Sequence, residues 1–284
     1  MVVVGSGNIG VEVAEALEIQ GCDVTLIEML ERVMPRFLAP KPATMLRMLL
    51  EEHNIKVLTG EKVLKVEGEN WVEGVITDKR SLACDTLIWA VGVKQNIELA
   101  QDAGIEIGSW GGIKVNRQMQ TSEDDIFACG DCIESFDLIS SQPILSLLWP
   151  SAKRQAEVAA LNAIGRTASY EGSLSLVVEE IYGSTFVSIG CTDENLNQPE
   201  FEVLEREQNA TYYRLLLADD RIFGLQAVGN CKGTGAITAL IRNKTILNDL
   251  RRVIDNPCLI ARHPWYLDAA NIIYTQDYFQ GVKK

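Results

Sequence analysis

The spacing of apolar residues changes twice within the first thirty residues of the chain. Three consecutive valines at residues 2–4 predict a short buried strand, because short β-branched runs favour strands. Over residues 8–20 the apolar positions recur at the spacing of one helix face: Ile9, Val13, Ala14 and Leu17. The run "CDVTLIEM" at residues 22–29 returns to a strand pattern. The chain is therefore predicted to open as strand, helix and strand.

The pattern continues with one more helix and several short strands. Residues 41–54, "KPATMLRMLLEEHN", form a helix-like run with a proline near its start. Strand-like runs follow at residues 55–60, 61–68, 71–77 and 85–92. Strands that alternate with helices and then continue as strands favour an α/β fold, here a Rossmann-like doubly wound unit with an added meander. This unit is predicted to end near Gly92.

The rest of the chain divides by its pattern into two further segments. Residues 93–169 contain the segment "GGIKVNRQMQTSEDDIFACGDC" and a helix-like run at 149–165. From residue 170 onward short alternating strands dominate, and a helix-like run follows at 233–245. We therefore predict three domains: residues 1–92, residues 93–169, and an α+β domain at residues 170–284.

Charge and cysteine content narrow the classes of function. The 284 residues carry a net charge of −13 and the isoelectric point is near 4.7, which argues against a nucleic-acid partner because phosphates attract clustered Lys and Arg. No apolar run approaches the roughly 20 residues of a membrane-spanning helix, so no membrane partner is predicted. Seven scattered cysteines favour a reduced cytoplasmic protein, and two histidines predict no metal site.

The first strand leads directly into a glycine-rich turn. Gly5, Gly7 and Gly10 satisfy the G-x-G-x-x-G pattern, in which the glycines permit a tight turn, backbone approach to a pyrophosphate, and close packing of helix on strand. The following helix offers free N–H groups and a partial positive charge to phosphates. The intervening and following residues complete the predicted cradle: Ser6, Asn8 and Ile9. The alternative is a glycine-rich turn that binds nothing.

An acidic residue stands at the expected distance from this turn. Glu28 closes the second predicted strand 21 residues after Gly7 (28 − 7), near the offset of about 20 for a carboxylate that binds the adenosine ribose. Such a carboxylate favours NAD, because it repels the 2′-phosphate of NADP. Two alternatives stay open: that Glu28 is merely solvated, or that Arg32 and Arg36 bind a 2′-phosphate.

A second segment carries a different signal. In "TSEDDIFACGDC", the residues 126–128 predict a strand that runs into the turn at Gly130 and Asp131. With the first motif, this segment resembles the FAD-dependent pyridine nucleotide-disulfide oxidoreductases. The resemblance is nearest to the branch with NADH oxidases, CoA-disulfide reductases and NADH-dependent nitrite or rubredoxin reductases. It implies that Asp131 binds the ribityl chain of FAD.

The resemblance extends along most of the chain. The segment "WAVGVKQN" at residues 89–96 is similar to the family's crossover between NAD and flavin domains, with Val91 in place of threonine before Gly92. The helix-like run at 149–165 resembles the helix that faces the flavin ring, which implies that the backbone of Ala152 and Lys153 stabilises negative charge on reduced flavin. Residues 170–284 resemble the family's dimerisation domain, which implies a homodimer.

The resemblance also implies an activity and an incomplete flavin site. Family members carry an earlier glycine-rich motif for FAD, so the chain is expected to lack the segment that grips the FAD pyrophosphate and supplies the redox thiol. The implied activity is hydride transfer from NADH to FAD, with an unidentified electron acceptor. The alternatives are a non-catalytic NAD-binding and dimerisation module, or one subunit of a flavoenzyme that a second chain completes.

Three weaker signals have competing interpretations. The pair Cys129 and Cys132 forms a C-x-x-C that is either a redox dithiol or, as we expect, a pair of small filling residues beside Asp131. His263 lies before a proline, as in disulfide reductases, but no glutamate follows, so an interface or surface role is expected. His53 is expected to be a solvated residue at a helix end.

Overall fold

A computed structural model describes residues 1–196, 200–208 and 211–246 of the chain. Over these ranges the chain forms a mixed α/β structure with four β-sheets. The described helices are α1 (Asn8–Ile19), α2 (Pro40–Glu52), α3 (Glu98–Asp102), α4 (Trp149–Ala163) and α5 (Thr234–Arg242).

The first sheet is parallel and lies at the start of the chain. Its strands are β1 (Val2–Val4), β2 (Thr25–Ile27), β3 (Lys56–Leu58) and β7 (Leu87–Trp89). Their spatial order is β3-β2-β1-β7, and β1 pairs in parallel with both β2 and β7. The carboxyl ends of these strands therefore meet at one edge, which is where ligands bind in open α/β sheets.

An antiparallel meander is inserted between β3 and β7. It consists of β4 (Val63–Glu67), β5 (Gly74–Thr77) and β6 (Ser81–Ala83). The buried Glu61 carboxylate accepts a hydrogen bond from Thr77 Oγ1 at 2.7 Å and pairs with Arg80 Nε at 3.0 Å. These contacts hold the turn between β5 and β6 against the segment just before β4.

The middle segment has a small sheet of its own. It contains β8 (Ile113–Lys114), β9 (Ile133–Phe136) and β10 (Pro143–Ile144), with β8 and β9 parallel and β9 and β10 antiparallel. A separate apolar cluster joins this sheet to α3 and α4; it includes Ala100, Ile133, Val158 and Tyr170.

The last described sheet is antiparallel and five-stranded. Its strands are β11 (Leu176–Ile181), β12 (Ser184–Gly190), β13 (Glu202–Gln208), β14 (Thr211–Ala218) and β15 (Arg221–Val228). Their order is β11-β12-β15-β14-β13. Helix α5 packs on this sheet through Ile237 and Leu240, which share a cluster with Leu225.

One apolar core joins the parallel sheet to the five-stranded sheet. Val33, Met34 and Leu38, which follow β2, lie in the same buried cluster as Phe186 and Tyr212 of the five-stranded sheet. The two sheets are therefore held together by apolar burial, the dominant favourable contribution to folding.

The structure differs from the predicted pattern in several places. Ile9, expected on the buried face of α1, is 60% exposed, because the face that packs on the sheet carries Gly10, Val11 and Ala14 instead. Residues 126–128 are not a strand; Phe127 makes one isolated bridge to Gln120. The short elements β6 and α3 were not predicted, since three to five residues carry too little periodicity.

The expectation that His53 is solvated is wrong. Its ring stacks on Tyr182 with 3.5 Å between ring centroids and 7° between planes. His53 Nδ1 also lies 3.0 Å from the Leu49 carbonyl oxygen. The end of α2 is therefore packed against the hairpin between β11 and β12.

Helix α1 meets the same hairpin through an acidic face. The Tyr182 N–H donates to Glu15 at 2.6 Å, and the Tyr182 hydroxyl donates to Glu18 at 2.8 Å. One turn earlier, burial and a hydrogen bond to Glu12 raise the pKa of Glu179 to about 7. Two carboxyl groups share a hydrogen bond only when one is protonated, so this contact is linked to pH.

The raised pKa of Glu179 predicts a pH-dependent stability. Protonated Glu179 is favoured in the folded state, so its full stabilising contribution is present below its unfolded pKa of 4.5 and is lost as pH rises to about 7. Glu179→Gln keeps a hydrogen-bond donor toward Glu12 but cannot ionise, so it is expected to increase the free energy of unfolding at pH 8 by about 1–3 kcal/mol. Denaturant unfolding at pH 4 and pH 8 measures this.

The neighbouring exposed Glu180 provides the control. Glu180→Gln is expected to change stability little at either pH. A stabilisation by Glu179→Gln that is as large at pH 4 as at pH 8 would contradict the shared proton.

Candidate dinucleotide site

The turn between β1 and α1 brings three glycines to the carboxyl edge of the parallel sheet. Gly5 has a φ of +97°, and a Cβ there would lie 2.4 Å from the Ala90 carbonyl oxygen. A Cβ on Gly10 would lie 1.8 Å from the Gly5 carbonyl oxygen, so α1 packs closely on the strand. At Gly7 a Cβ would meet nothing within 4 Å. The backbone is therefore crowded at Gly5 and Gly10 and open at Gly7, directly before the helix.

The start of α1 has the properties of an anion site. Gly7 is the N-cap residue and provides no side-chain cap, so the first N–H groups of the helix are not capped by it. The buried Oδ1 atom of Asn8 has no hydrogen-bond partner in the described part of the chain; as an acceptor it fits a ligand hydroxyl and not a phosphate oxygen. An uncapped N-terminus beside open space fits a phosphate group, because the helix dipole favours negative charge there.

Glu28 is buried against this turn and is not a solvated residue. Its Oε2 atom accepts hydrogen bonds from the Ser6 amide at 2.9 Å and the Ser6 hydroxyl at 2.8 Å. Its Oε1 atom accepts one from the Leu30 amide at 2.9 Å. A carboxylate has about four acceptor positions, so these three bonds leave capacity for one ligand hydroxyl.

Arg32 is engaged elsewhere. Its Nε donates to the Leu38 carbonyl at 2.9 Å and its Nη2 donates to the Pro35 carbonyl at 3.0 Å. Nη2 also pairs with Glu194, which follows β12. Arg36 is exposed. The Arg32 side chain is thus turned onto the loop that carries it, which weakens the alternative in which it binds a 2′-phosphate.

Exposed apolar side chains lie at the same edge of the parallel sheet. Ile9 follows the glycine turn, Met29 follows Glu28, and Val91 follows β7; they are 60%, 58% and 65% exposed. Gly92 comes next, with a φ of +111°. Apolar side chains around a polar cleft are typical of small-ligand sites. Sequence reasoning missed Met29, whose position after Glu28 was the available signal.

The turn at Gly130 and Asp131 lies against α4. Gly130 has a φ of +87°, and its N–H donates to the side-chain oxygen of the fully buried Gln155 at 2.9 Å. A Cβ on Gly130 would be 3.9 Å from the Ala152 side chain. The Asp131 side chain is exposed. Gln155 therefore joins the two segments that the family resemblance assigns to flavin, and sequence reasoning missed it.

At the start of α4, one of the two backbone amides named for flavin is already bonded. The Ala152 N–H donates to the Leu148 carbonyl at 3.0 Å, so this amide is not a free donor for a ligand. Lys153 is exposed, with its ammonium 5.7 Å from the centre of the Trp149 ring. The helix dipole remains available at this end, but the Ala152 amide is already bonded within the first turn.

The candidate residues therefore fall into two groups. The glycine turn, Glu28 and the segment at Val91 and Gly92 share the edge of the parallel sheet. Asp131 follows Gly130, which lies against Ala152 and Gln155 of α4. His263 lies outside the described residues.

The two cysteines of the C-x-x-C are not arranged as a reactive pair. Both are free and half-buried, and the Cys132 thiol lies 3.5 Å from the Cys129 carbonyl oxygen. Burial raises the pKa of both thiols above the usual value. A thiol with a raised pKa holds little thiolate at neutral pH and is a poor nucleophile.

Cys129→Ser and Cys132→Ser are therefore expected to leave nucleotide binding and any reductase activity largely intact. Alkylation of the unmodified protein at pH 7 is expected to be slow at both positions, because the protonated thiol is unreactive. Trapping of a mixed disulfide at either cysteine would contradict this.

The described helices are too short or too polar for one of them to cross a membrane.

A parallel sheet in this order, with a glycine turn and a buried acid at its carboxyl edge, is a Rossmann-type dinucleotide-binding architecture. Residues 1–156 match the family model described as pyridine nucleotide-disulphide oxidoreductase. The chain belongs to this family.

Individual relatives agree with this assignment. An NADH oxidase from Methanocaldococcus jannaschii is 35% identical over 84% of this chain and 56% of its own length. The structure of an FAD-dependent pyridine nucleotide-disulphide oxidoreductase from Desulfovibrio vulgaris superposes with a TM-score of 0.82 at 31% identity, covering 96% of this chain and 70% of the other.

A third comparison includes bound nucleotide. A water-forming NADH oxidase from Lactobacillus brevis, bound to NADH, has a TM-score of 0.79 and 26% identity over 88% of this chain and 59% of the other. The chain spans about half the length of the curated relatives it matches.

Proposed function

We propose that this chain binds NADH in preference to NADPH at the turn between β1 and α1. The observation that carries this proposal is the buried Glu28 carboxylate, which is bonded to Ser6 within the turn that leaves Gly7 open. A carboxylate there accepts hydrogen bonds from the ribose of NAD and repels the 2′-phosphate of NADP. The NADH bound to the Lactobacillus brevis relative supports this choice.

The residues of this site have distinct roles in the proposal. The pyrophosphate lies over Gly7 and the start of α1, where the backbone is accessible. Glu28 accepts a hydrogen bond from one ribose hydroxyl, and Ser6 holds the carboxylate in place. The apolar side chains of Ile9, Met29 and Val91 contact the rings of the nucleotide.

The activity we propose is that of an NADH-dependent flavoprotein oxidoreductase. FAD, when bound, would supply the acceptor for a hydride from NADH and a route for electrons to a further substrate. Asp131 binds the polar ribityl chain, and the dipole of α4 stabilises negative charge near Ala152 and Lys153. The names of the Methanocaldococcus jannaschii and Desulfovibrio vulgaris relatives support this class of reaction.

The wider organisation is also a proposal. The chain comprises an NAD-binding part at residues 1–92, part of an FAD-binding domain at 93–169, and an interface domain at 170–284 that forms a homodimer. Six described cysteines are free, which supports a reducing, cytoplasmic environment. A mass measurement that gives only monomer at micromolar concentration contradicts the dimer.

Two titrations test the nucleotide proposal. NADH and NADPH are added to the purified chain, and binding is followed by calorimetry. NADH is expected to bind at least about tenfold more tightly, as one charge-assisted hydrogen bond at the ribose would give. Equal affinities for the two nucleotides contradict the proposal.

The alternatives to this activity are an NAD-binding and dimerisation module without catalysis, or one subunit of a flavoenzyme that a second chain completes. Flavin absorbance of the purified chain, recorded before and after FAD is added and the excess removed, tests the flavin part of the proposal. A chain that retains no flavin favours these alternatives.

A further inference from the structure

The loop that joins β2 to α2, residues 28–39, is tied at two points to the candidate nucleotide site. The Leu30 amide donates to Glu28 Oε1 at 2.9 Å. The Met34 amide donates to the Ser6 carbonyl at 2.9 Å. A movement of this loop would therefore displace Glu28 relative to the glycine turn.

The far end of this loop is clamped by the five-stranded sheet. Gln226 on β15 is 2% exposed, and its side-chain amide donates to the Phe37 carbonyl at 2.9 Å and accepts from the Ala39 amide at 3.0 Å. The Ser188 hydroxyl on β12 donates to the same Phe37 carbonyl at 2.6 Å. These bonds are buried, and buried polar groups are costly to leave unpaired, so they hold the loop in one position.

The same sheet also engages the cation nearest Glu28 in the loop. Arg32 lies between the two tied points, and its guanidinium is bonded to the carbonyls of Pro35 and Leu38. Glu194, after β12, completes its coordination with an ion pair. Keeping the loop in this position therefore also keeps the Arg32 guanidinium bonded to its own partners and away from a nucleotide phosphate.

We propose that the five-stranded sheet determines the choice of nucleotide, with Gln226 as the positioning residue. This inference rests on the proposed NADH site. The clamp keeps Glu28 fixed beside Ser6 and keeps Arg32 bonded within the loop, so the site presents a carboxylate to the ribose while Arg32 is held by its own partners. Release of the loop weakens the hold on NADH and frees arginine for a 2′-phosphate.

The experiment compares the ratio of NADPH to NADH dissociation constants among variants of the full chain. Gln226→Met keeps the volume but removes both loop bonds, and the ratio is expected to fall about three- to tenfold, as expected for one or two hydrogen bonds. Adding Arg32→Ala is expected to restore part of the ratio by weakening NADPH binding. If Gln226→Met does not fold, Ser188→Ala, which removes one loop bond, is used instead. Its ratio of dissociation constants is expected to fall in the same direction.

The matched control is Tyr182→Phe, which removes a hydrogen bond between the five-stranded sheet and α1 but does not touch the loop. It is expected to lower thermal stability and leave the ratio unchanged. Folded Gln226→Met and Ser188→Ala variants with the ratio of the unmodified protein overturn the inference. A lack of NADH preference in the unmodified protein overturns the proposed function instead, and this inference with it.

Discussion

Replacing Gly7 with alanine is expected to remove most NADH binding while leaving the fold intact. Gly7 has a φ of −69°, which alanine adopts without strain, and a Cβ there meets nothing within 4 Å. The added methyl group instead occupies the space through which the backbone reaches the pyrophosphate. We expect at least about a tenfold rise in the dissociation constant, or ~1.4 kcal/mol. Calorimetric titration and a thermal melt measure the two quantities separately.

Gly5 provides the contrasting variant. Gly5→Ala forces a side chain into a φ of +97° and brings Cβ to 2.4 Å from the Ala90 carbonyl oxygen. This is expected to destabilise the protein by about 1–3 kcal/mol or more. NADH binding is expected to weaken as a consequence, because less of the protein is folded. Unchanged NADH affinity in Gly7→Ala would show that the pyrophosphate does not lie at this turn.

Replacing Glu28 with alanine is expected to abolish the preference for NADH. The carboxylate accepts three hydrogen bonds, two from Ser6 and one from Leu30. Its removal therefore leaves these donors unpaired, and it also removes the acceptor for the ribose hydroxyl. The expected costs are about 1.5–3 kcal/mol in NADH binding and about 1–3 kcal/mol in stability. Titration with both nucleotides and denaturant unfolding measure them.

Glu28→Gln separates charge from shape. It keeps an acceptor for Ser6 or Leu30 but removes the negative charge, so NADPH is expected to gain affinity while NADH loses less than in Glu28→Ala. A Gln variant that still rejects NADPH as strongly as the unmodified protein would show that the carboxylate charge does not exclude the 2′-phosphate.

The parts of the structure that the sequence predicted are those with long or distinctive local patterns. The helix predicted at residues 8–20 is observed at Asn8–Ile19, and the helix predicted at 149–165 is observed at Trp149–Ala163. The glycine turn and Glu28 meet as the motif spacing predicted, because that spacing is local; their role in binding a nucleotide stays a prediction. Ile9 was misassigned because the buried face of α1 runs through Gly10, Val11 and Ala14, and the glycine that allows this close packing is not itself an apolar signal.

The contacts that sequence reasoning missed all depend on residues distant in the chain. Gln226 reaches Phe37 and Ala39 across 189 and 187 positions. Gln155 was part of a predicted helix, but its bond to Gly130 follows only from the packing of α4. His53 meets Tyr182 for the same reason. No local periodicity encodes such pairs, since a polar residue with a buried partner has the same pattern as an exposed one.

The parallel sheet and the five-stranded sheet share one apolar core, so cutting the chain between them would expose that core. A fragment ending at residue 169 would lose Phe186 and Tyr212 and expose the apolar side chains of Val33, Met34 and Leu38. Exposed apolar patches of this kind promote aggregation. The amino-terminal part is therefore expected to depend on the five-stranded sheet to stay soluble, and a chimera that exchanges carboxyl-terminal segments between relatives is expected to need both sides of this contact to match.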